Sequence, residues 1–427
     1  YHMVFNVKFD GSHKCRLVAG GHRTPDVDPN EVYSGVVSIE TIRIAFVLAA
    51  ANNLDVCAAD ISTAFLYGKT NEKVFVIAGP EFGEHAGKRM IVDKGLYGLK
   101  TSAARFHEHL SAKLRSLGFK PCKADFDLWY RLRGDHYEYV ATYVDDILVF
   151  SKDPMSIITS IQEHYMLKGI GVPEYYLGGN FHTVAPQESK VLRVEQNNRI
   201  LDDEHDISAT IDRIHGNDQD ISPNKHSTSL DPLNISEVDH GEKLRHLSPL
   251  WIKQGVKTAF SAETYIQNSM GRLEAMLSRT FPSYKTPMSE VTHPELDESP
   301  LLNAADHAKF RSIVGCANWL ITLGRFDIVY TTNQYSRFAH APRQGHLTGM
   351  IRVFGYLKQF NKGKIIIDPN YPNHEQFDML NYDNWKEYYP DVEEMIPDSK
   401  DTPDPRGPAI WITVYQDADH AHDMLTR

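Results

Sequence analysis

Asp145 and Asp146 stand side by side in Tyr143-Val144-Asp145-Asp146, between two apolar runs at 139–144 and 147–150. Adjacent carboxylates repel each other, and an exposed pair ordinarily sits among polar neighbours. Here the flanks are rich in β-formers, so the pair reads as the tip of a tight hairpin. Two carboxylates held against an apolar sheet suit a hard cation, because Mg²⁺ takes oxygen ligands and is commonly held by one or two carboxylates plus substrate phosphates. An isolated Asp-Asp is otherwise an acidic surface turn, and a second element upstream decides between the two. Residues 54–66 form a small-residue, apolar strand that ends on Asp60, and the aromatic Phe65 follows five residues later. Three carboxylates from two neighbouring strands can clamp two Mg²⁺ ions roughly 3.5–4 Å apart.

With these acids in place, the chain resembles the polymerase of copia-type retrotransposons, a branch of the reverse transcriptases, and its motifs run in that family's order. Lys14-Cys15-Arg16-Leu17-Val18-Ala19-Gly20-Gly21 is similar to the basic fingers strand. Tyr33-Ser34-Gly35-Val36-Val37-Ser38, followed by Arg43, resembles the segment that touches the template. Residues 60–65 match the first catalytic strand, Leu96-Tyr97-Gly98-Leu99-Lys100 the segment beneath the incoming nucleotide, and Tyr143-Val144-Asp145-Asp146 the catalytic hairpin. Lys168 falls where the family has a lysine near the departing pyrophosphate, and Tyr175-Tyr176-Leu177-Gly178 where a primer grip lies. Phe310-Arg311-Ser312-Ile313-Val314-Gly315, Gly324-Arg325-Phe326-Asp327-Ile328 and Gly355-Tyr356-Leu357-Lys358 resemble the connection region. Each motif alone is weak; their order over most of the chain carries the resemblance.

The resemblance implies an α+β, right-hand polymerase with fingers, palm and thumb, a connection segment and the start of an RNase H-like domain. It implies an RNA-directed DNA polymerase that adds deoxynucleoside triphosphates to a primer 3′-hydroxyl on an RNA or DNA template. Asp60, Asp145 and Asp146 would be the metal ligands, with the Ile61 carbonyl completing the shell. One Mg²⁺ (or Mn²⁺) would activate the hydroxyl while the other neutralises the triphosphate. Phe65 would be a steric gate against a 2′-hydroxyl. Lys14 and Arg16 would bind the triphosphate, Tyr97 and Gly98 would lie under the nucleotide, and Tyr176, Leu177 and Gly178 would hold the primer. Lys168 would donate a proton to pyrophosphate, general-acid work worth about 10²–10⁴ in rate. Other Pol segments, integrase and RNase H, would be partners in the parent element, in an intracellular setting of cytoplasmic particle or nucleus. Two readings from other classes stand beside this one. One is a catalytically silent remnant that only binds nucleic acid; the other is an unrelated metal-dependent phosphohydrolase. Thr101 and Ala103 stand where the family has Gln and Pro. The expected effect is a looser helix start, since Pro in a first turn is pre-organised for it.

A length of 427 residues suggests two to three domains, and 41% hydrophobic content is enough for real cores. No run of about 18 apolar residues occurs, so no membrane span is expected. The four cysteines, Cys15, Cys57, Cys122 and Cys316, lie far apart without zinc spacing, which fits a reducing compartment. The net charge of −11 argues at first against a nucleic-acid partner. Its distribution answers that objection. Residues 201–242 and 368–405 each carry eleven acids against two bases, −9 apiece, which leaves +7 on the remainder. Binding through phosphates by such a body falls steeply with salt.

Organisation follows from these patterns. Residues 1–181 read as fingers and palm, with helices over 37–51, 102–117 and 155–165 and strands at 75–77, 91–96, 123–132 and 137–150. Residues 182–250 lose all Phe, Trp and Tyr from 183 onward and read as an acidic, disordered insertion. Residues 251–367 read as thumb and connection, with helices over 261–277, 304–323 and 343–360, the last carrying basic residues on a side suited to duplex. Residues 368–408 read as an acidic loop. Residues 409–427 resemble the first strand of an RNase H-like domain, in which Asp417 would be the first metal-binding carboxylate. The start at Tyr1 and the stop at Arg427 read as a piece of a longer polyprotein without RNase H cleavage of its own.

Overall fold

The computed structural model describes residues 1–7, 11–184, 257–289, 293–368, 390–391 and 403–408. Of the disordered insertion read over 182–250, residues 182–184 are instead the end of a strand, and the remainder, nearly all of the acidic loop, and the RNase H-like start with Asp417 lie outside the described residues. The chain divides into two units, Tyr1–His182 with Thr258–Arg427, and Thr183–Lys257. The first is a mixed α+β structure.

Its centre is a six-stranded antiparallel sheet. The strands are β3 (Asp55–Ile61), β6 (Lys120–Pro121), β7 (Leu128–Arg133), β8 (His136–Tyr143), β9 (Asp146–Ser151) and β10 (Leu167–Gly171), in the order β10-β3-β9-β8-β7-β6. Side chains alternate faces along a strand. Ile147 and Val149 of β9 therefore join Cys57, Ala59 and Ile61 of β3 on one face. There they pack with Phe106, Leu110 and Leu114 of helix α2 (Ser102–Ser116) and Ile157, Ile158 and Ile161 of α3 (Pro154–Gln162). Phe150 points to the other face and meets Phe46 of α1 (Ile39–Asn52), ring centroids 5.3 Å apart. Both faces are thus covered, which explains why the apolar run after Asp146 is unbroken rather than alternating. Burying a side chain such as Phe150 stabilises the fold by about 1.5–3 kcal/mol.

Two ribbons flank this sheet, β1 (His2–Val7) with β2 (His13–Val18), and β4 (Phe75–Ile77) with β5 (Arg89–Ile91). The strand expected over 91–96 is therefore displaced: pairing with β4 is complete by Ile91, and the chain then runs without regular structure toward Gly95. A four-stranded sheet, in the order β11-β12-β13-β14, is built from β11 (Tyr175–Tyr176), β12 (Gly179–Val184), β13 (Lys257–Ser261) and β14 (Lys364–Ile367). Four helices pack together beyond it: α4 (Glu263–Leu277), α5 (Ala304–Thr322), α6 (Val329–Ser336) and α7 (Gln344–Gln359). The basic side chains of α7 and its N-cap are engaged within this unit. Arg343 donates to the Ser299 carbonyl, Arg352 to Thr286, and Lys358 to Glu274 and the Phe281 carbonyl. They do not form the free basic side expected for a duplex.

The start of α2 is also held differently from the expectation. Thr101, fully buried, donates from both its amide and its hydroxyl to Glu72 Oε1, at 3.0 and 2.8 Å. A carboxylate at a helix N-terminus satisfies free amides and suits the helix dipole. It replaces the pre-organisation that a proline would bring. Glu72→Ala leaves two buried donors unmet, so it should lower unfolding free energy by about 1–3 kcal/mol in urea titrations, while Glu31→Ala, at a more exposed carboxylate, should have little effect. Equal midpoints for Glu72→Ala and the parent would remove the capping argument.

Candidate active site

The strand register assembles the acids. β3 and β9 pair antiparallel with Asp60 directly opposite Asp146, and β8 returns against β9 with Tyr143 opposite Asp146. Directly opposed residues have Cβ atoms about 4.5–5.5 Å apart, so these carboxylates share one locality. The Ile61 amide donates to the Asp145 carbonyl at 2.7 Å, which ties the β8–β9 turn to the end of β3. Ile61 itself is fully buried. The turn is tighter than the sequence suggested. Only Val144 and Asp145 lie at its tip, and Asp146 is already the first residue of β9. Val144 has φ 54°, a left-handed conformation that costs a β-branched residue on the order of 1–3 kcal/mol and persists only where the surroundings impose it.

Asp60 is flanked on its other side by β10, where Lys168 is its cross-strand partner. The Lys168 ammonium lies 2.9 Å from Asp60 Oδ1. That oxygen is buried and has no hydrogen bond of ordinary alignment, so the contact is an ion pair by distance rather than a well-directed hydrogen bond. β10 is fixed at its start from two directions: the Ser62 amide donates to the Met166 carbonyl and the Met166 amide to Tyr67 Oη, each at 2.8 Å. Tyr67, two residues beyond Phe65, is a positioning residue that sequence reasoning did not single out; the Phe-x-Tyr spacing was its only signal.

The electrostatics follow from this crowding. Burial raises the Asp145 carboxyl, helped by the Asp60 charge, while Lys168 and Lys14 pull it down. Asp146 is pushed up to about 6 by burial, then by Asp145 and Asp60. Among the described residues, no three His, Cys, Asp or Glu side chains are arranged to hold a metal ion as they stand. The three acids are neighbours on paired strands, with an ammonium on one of them. Carboxylates that are half-buried, mutually repelling and in part without partners have the chemistry of a site for a hard cation.

The residues expected around the nucleotide are brought together in part. Arg16 on β2 sits over the Tyr97 ring at 5.5 Å, and Tyr97 meets Phe65 edge-on at 4.9 Å. Phe65 is backed in turn by Phe106 of α2 at 6.5 Å. Lys14 lies on the same face of β2 as Arg16, within electrostatic reach of Asp145. The Tyr97 carbonyl accepts from the Ala19 amide at 2.7 Å, so the basic ribbon is stitched to this segment. Gly98 has φ 88°, and a Cβ there would collide with the Ala19 carbonyl, so glycine is required for the close approach.

Leu177 and Gly178 form the tip of the β11–β12 hairpin, with φ of 48° and 90° and Tyr176 opposite Gly179. Two positive φ values define the hairpin-favouring mirror turn. A Cβ on Gly178 would stand 3.1 Å from Trp319 Nε1, so the tip lies against α5. Tyr176 is buried, its hydroxyl has no partner, and its pKa is raised well above the usual phenol value by burial and then by Asp146, Tyr143 and Asp145. It therefore stands behind the acids rather than on an open surface. Arg43 also differs from its expected place along the template. It donates to the Thr322 carbonyl at the end of α5 and lies between the Phe260 and Phe326 rings, at 5.6 and 5.7 Å. Burial lowers its pKa.

Two predictions follow from the charges and the free hydroxyl. Asp146 binds its proton more tightly in the folded chain (about 6) than the ordinary 3.8, so folding loses stability as pH rises through that interval. In EDTA, Asp146→Asn should therefore raise the urea midpoint at pH 7.5 and have a much smaller effect at pH 4; a gain independent of pH contradicts the assignment. Tyr176→Phe removes a buried, unmet hydroxyl and should raise unfolding free energy by about 1 kcal/mol, whereas a loss would mean that the hydroxyl has a partner.

Comparison with known proteins places this arrangement. Residues 1–209 match the family described as reverse transcriptase (RNA-dependent DNA polymerase). The retrovirus-related Pol polyprotein from transposon RE1 of Arabidopsis thaliana is 24% identical over 365 residues, covering 83% of this chain and 20% of that protein. The transposon Ty1-LR2 Gag-Pol polyprotein of Saccharomyces cerevisiae is 31% identical over 176 residues, covering 40% of this chain and 10% of that protein. The truncated transposon Ty1-A Gag-Pol polyprotein of the same yeast is also 31% identical over 176 residues, 40% of this chain and 14% of that protein. The chain thus spans a fifth or less of the length of these relatives. The strand pairing that opposes Asp60 to Asp146 lies wholly within the matched residues, and residues 1–209 are a reverse transcriptase region of the copia-type Pol kind.

Proposed function

We propose that this chain is an RNA-directed DNA polymerase that extends a primer 3′-hydroxyl with deoxynucleoside triphosphates on an RNA or DNA template. The observation that carries the reading is the register of β3 on β9, which opposes Asp60 to Asp146 beside Asp145. Phosphoryl transfer needs little covalent chemistry from a protein; it needs positioning and charge. Asp60, Asp145 and Asp146, with the Ile61 carbonyl, would hold two Mg²⁺ ions, or Mn²⁺ in their place. When bound, such ions lower the pKa of an attacking hydroxyl and neutralise charge on the phosphates.

Every other role falls to the chain's own residues. Arg16, braced on Tyr97, and Lys14 bind the triphosphate, while Tyr97 and Gly98, whose lack of a Cβ lets this segment close against Ala19, lie under the nucleotide. The Phe65 ring, backed by Phe106 and Tyr97, leaves no room for a 2′-hydroxyl and so favours deoxynucleotides. The Leu177-Gly178 tip, with Tyr176 beneath it, holds the primer end toward the acids. Lys168 delivers a proton to the departing pyrophosphate. In this reading residues 1–181 are fingers and palm and 251–367 thumb and connection. The template-primer and the other Pol segments are the partners, within a cytoplasmic particle or the nucleus.

A second reading, a catalytically silent remnant that still binds nucleic acid, draws support from Thr101 and Ala103, which stand where the family has Gln and Pro. Primer extension on poly(rA)–oligo(dT) with dTTP and Mg²⁺ separates the two. Extension by the parent, lost by at least about 10²-fold in Asp145→Asn, is the expected result. Duplex binding without extension by either chain would establish the remnant.

A further inference from the structure

Lys168 is not a surface lysine that happens to reach inward. Its backbone is the cross-strand partner of Asp60, and β10 is held at Met166 by Ser62 and Tyr67. The root of the side chain is therefore fixed, whereas the side chain itself is 59% exposed and free to swing about that root. Its nitrogen lies 2.9 Å from Asp60 Oδ1, a buried oxygen that no well-aligned hydrogen bond reaches. A Mg²⁺ ligand oxygen stands at 2.0–2.1 Å from the ion. An ammonium and a divalent cation on that one oxygen would thus lie within a few ångströms of each other and repel strongly.

We propose that Lys168 is the resident counter-ion of the carboxylate cluster and competes with the divalent cation for Asp60. The proposal rests on the reading of Asp60, Asp145 and Asp146 as a cation site. In the cation-free chain the ammonium offsets part of the repulsion among the three acids. Cation binding displaces it from Oδ1. The same side chain is then free to reach the phosphate end of the site, so its release from Asp60 and its arrival at pyrophosphate are two halves of one movement.

The test is a titration of the full chain with Mn²⁺ alone, read by calorimetry and by the electron paramagnetic resonance signal of free Mn²⁺, with no nucleotide or primer present. Removing a unit charge a few ångströms from the ion, tempered by solvent and by the freedom of the lysine, should tighten Mn²⁺ binding roughly tenfold in Lys168→Gln. Lys168→Arg keeps the charge and should bind as the parent does. In an Asp60→Asn background the Lys168→Gln gain should largely disappear, because the contested oxygen pair is gone. Parent and Lys168→Gln binding Mn²⁺ equally, or the variant binding more weakly, overturns the competition while leaving the cation site intact. No Mn²⁺ bound by either chain removes the cation site itself, and the competition with it.

Discussion

Opposing two carboxylates across a hydrogen-bonded strand pair is electrostatically unfavourable, yet the antiparallel register of β3 on β9 does this with Asp60 and Asp146. A shift by one residue would relieve the repulsion, but it would also exchange the two faces of each strand. Ile147 and Val149 would then leave the core shared with α2 and α3, and Phe150 would lose Phe46. Apolar burial on both faces of the sheet fixes the register, and the register imposes the charge cluster. The strain at Val144 and the raised carboxyl of Asp146 are local consequences of that larger preference.

The surroundings of the acids show how such a centre is supported without rigid metal geometry. Aromatic contacts run from Arg16 through Tyr97 and Phe65 to Phe106, so Arg16 is braced from the core of the sheet outward. Elsewhere, the Leu177-Gly178 tip and Arg43 both meet α5 in its C-terminal half, at Trp319 and Thr322. A cation at a helix C-terminus meets carbonyls that lack intrahelical partners, a favourable place for a guanidinium. Asp127 plays a comparable part beneath the segment before α1: it accepts from Thr142 and pairs with His107, and a Cβ on Gly35 would collide with its carboxylate.

Much of this was legible in order and kind. The β3 strand with Asp60 near its end, the hairpin around Asp145, the helix from Ser102 and the long helix from Ala304 each announce themselves by local periodicity, because packing acts on nearest faces. Contacts set by distant parts of the chain were not legible. Lys168 beside Asp60 depends on the pairing of β10, and no local pattern reports a cross-strand partner. The Glu72 cap on Thr101 joins residues 29 apart, so absence of a proline looked like a weakness when the helix start is in fact held by a carboxylate. Arg43 follows a motif shared with template-contacting segments, and only the packing of α5 shows that its guanidinium is buried elsewhere. The strand expected after Ile91 failed for a related reason: its partner β4 is only three residues long.

The position of β3 between β9 and β10 has a consequence for synthesis of the chain. Both neighbours of this strand come much later in the sequence, with the strands β4 to β9 and two helices between β3 and the second of them. Contacts between distant segments form slowly, since closing long loops costs entropy before any pairing compensates it. A growing polypeptide on the ribosome therefore cannot complete this centre until β10 has emerged. Nascent chains halted before β9 would carry Asp60 without the other two acids, and those halted between β9 and β10 would hold all three without the Lys168 ammonium.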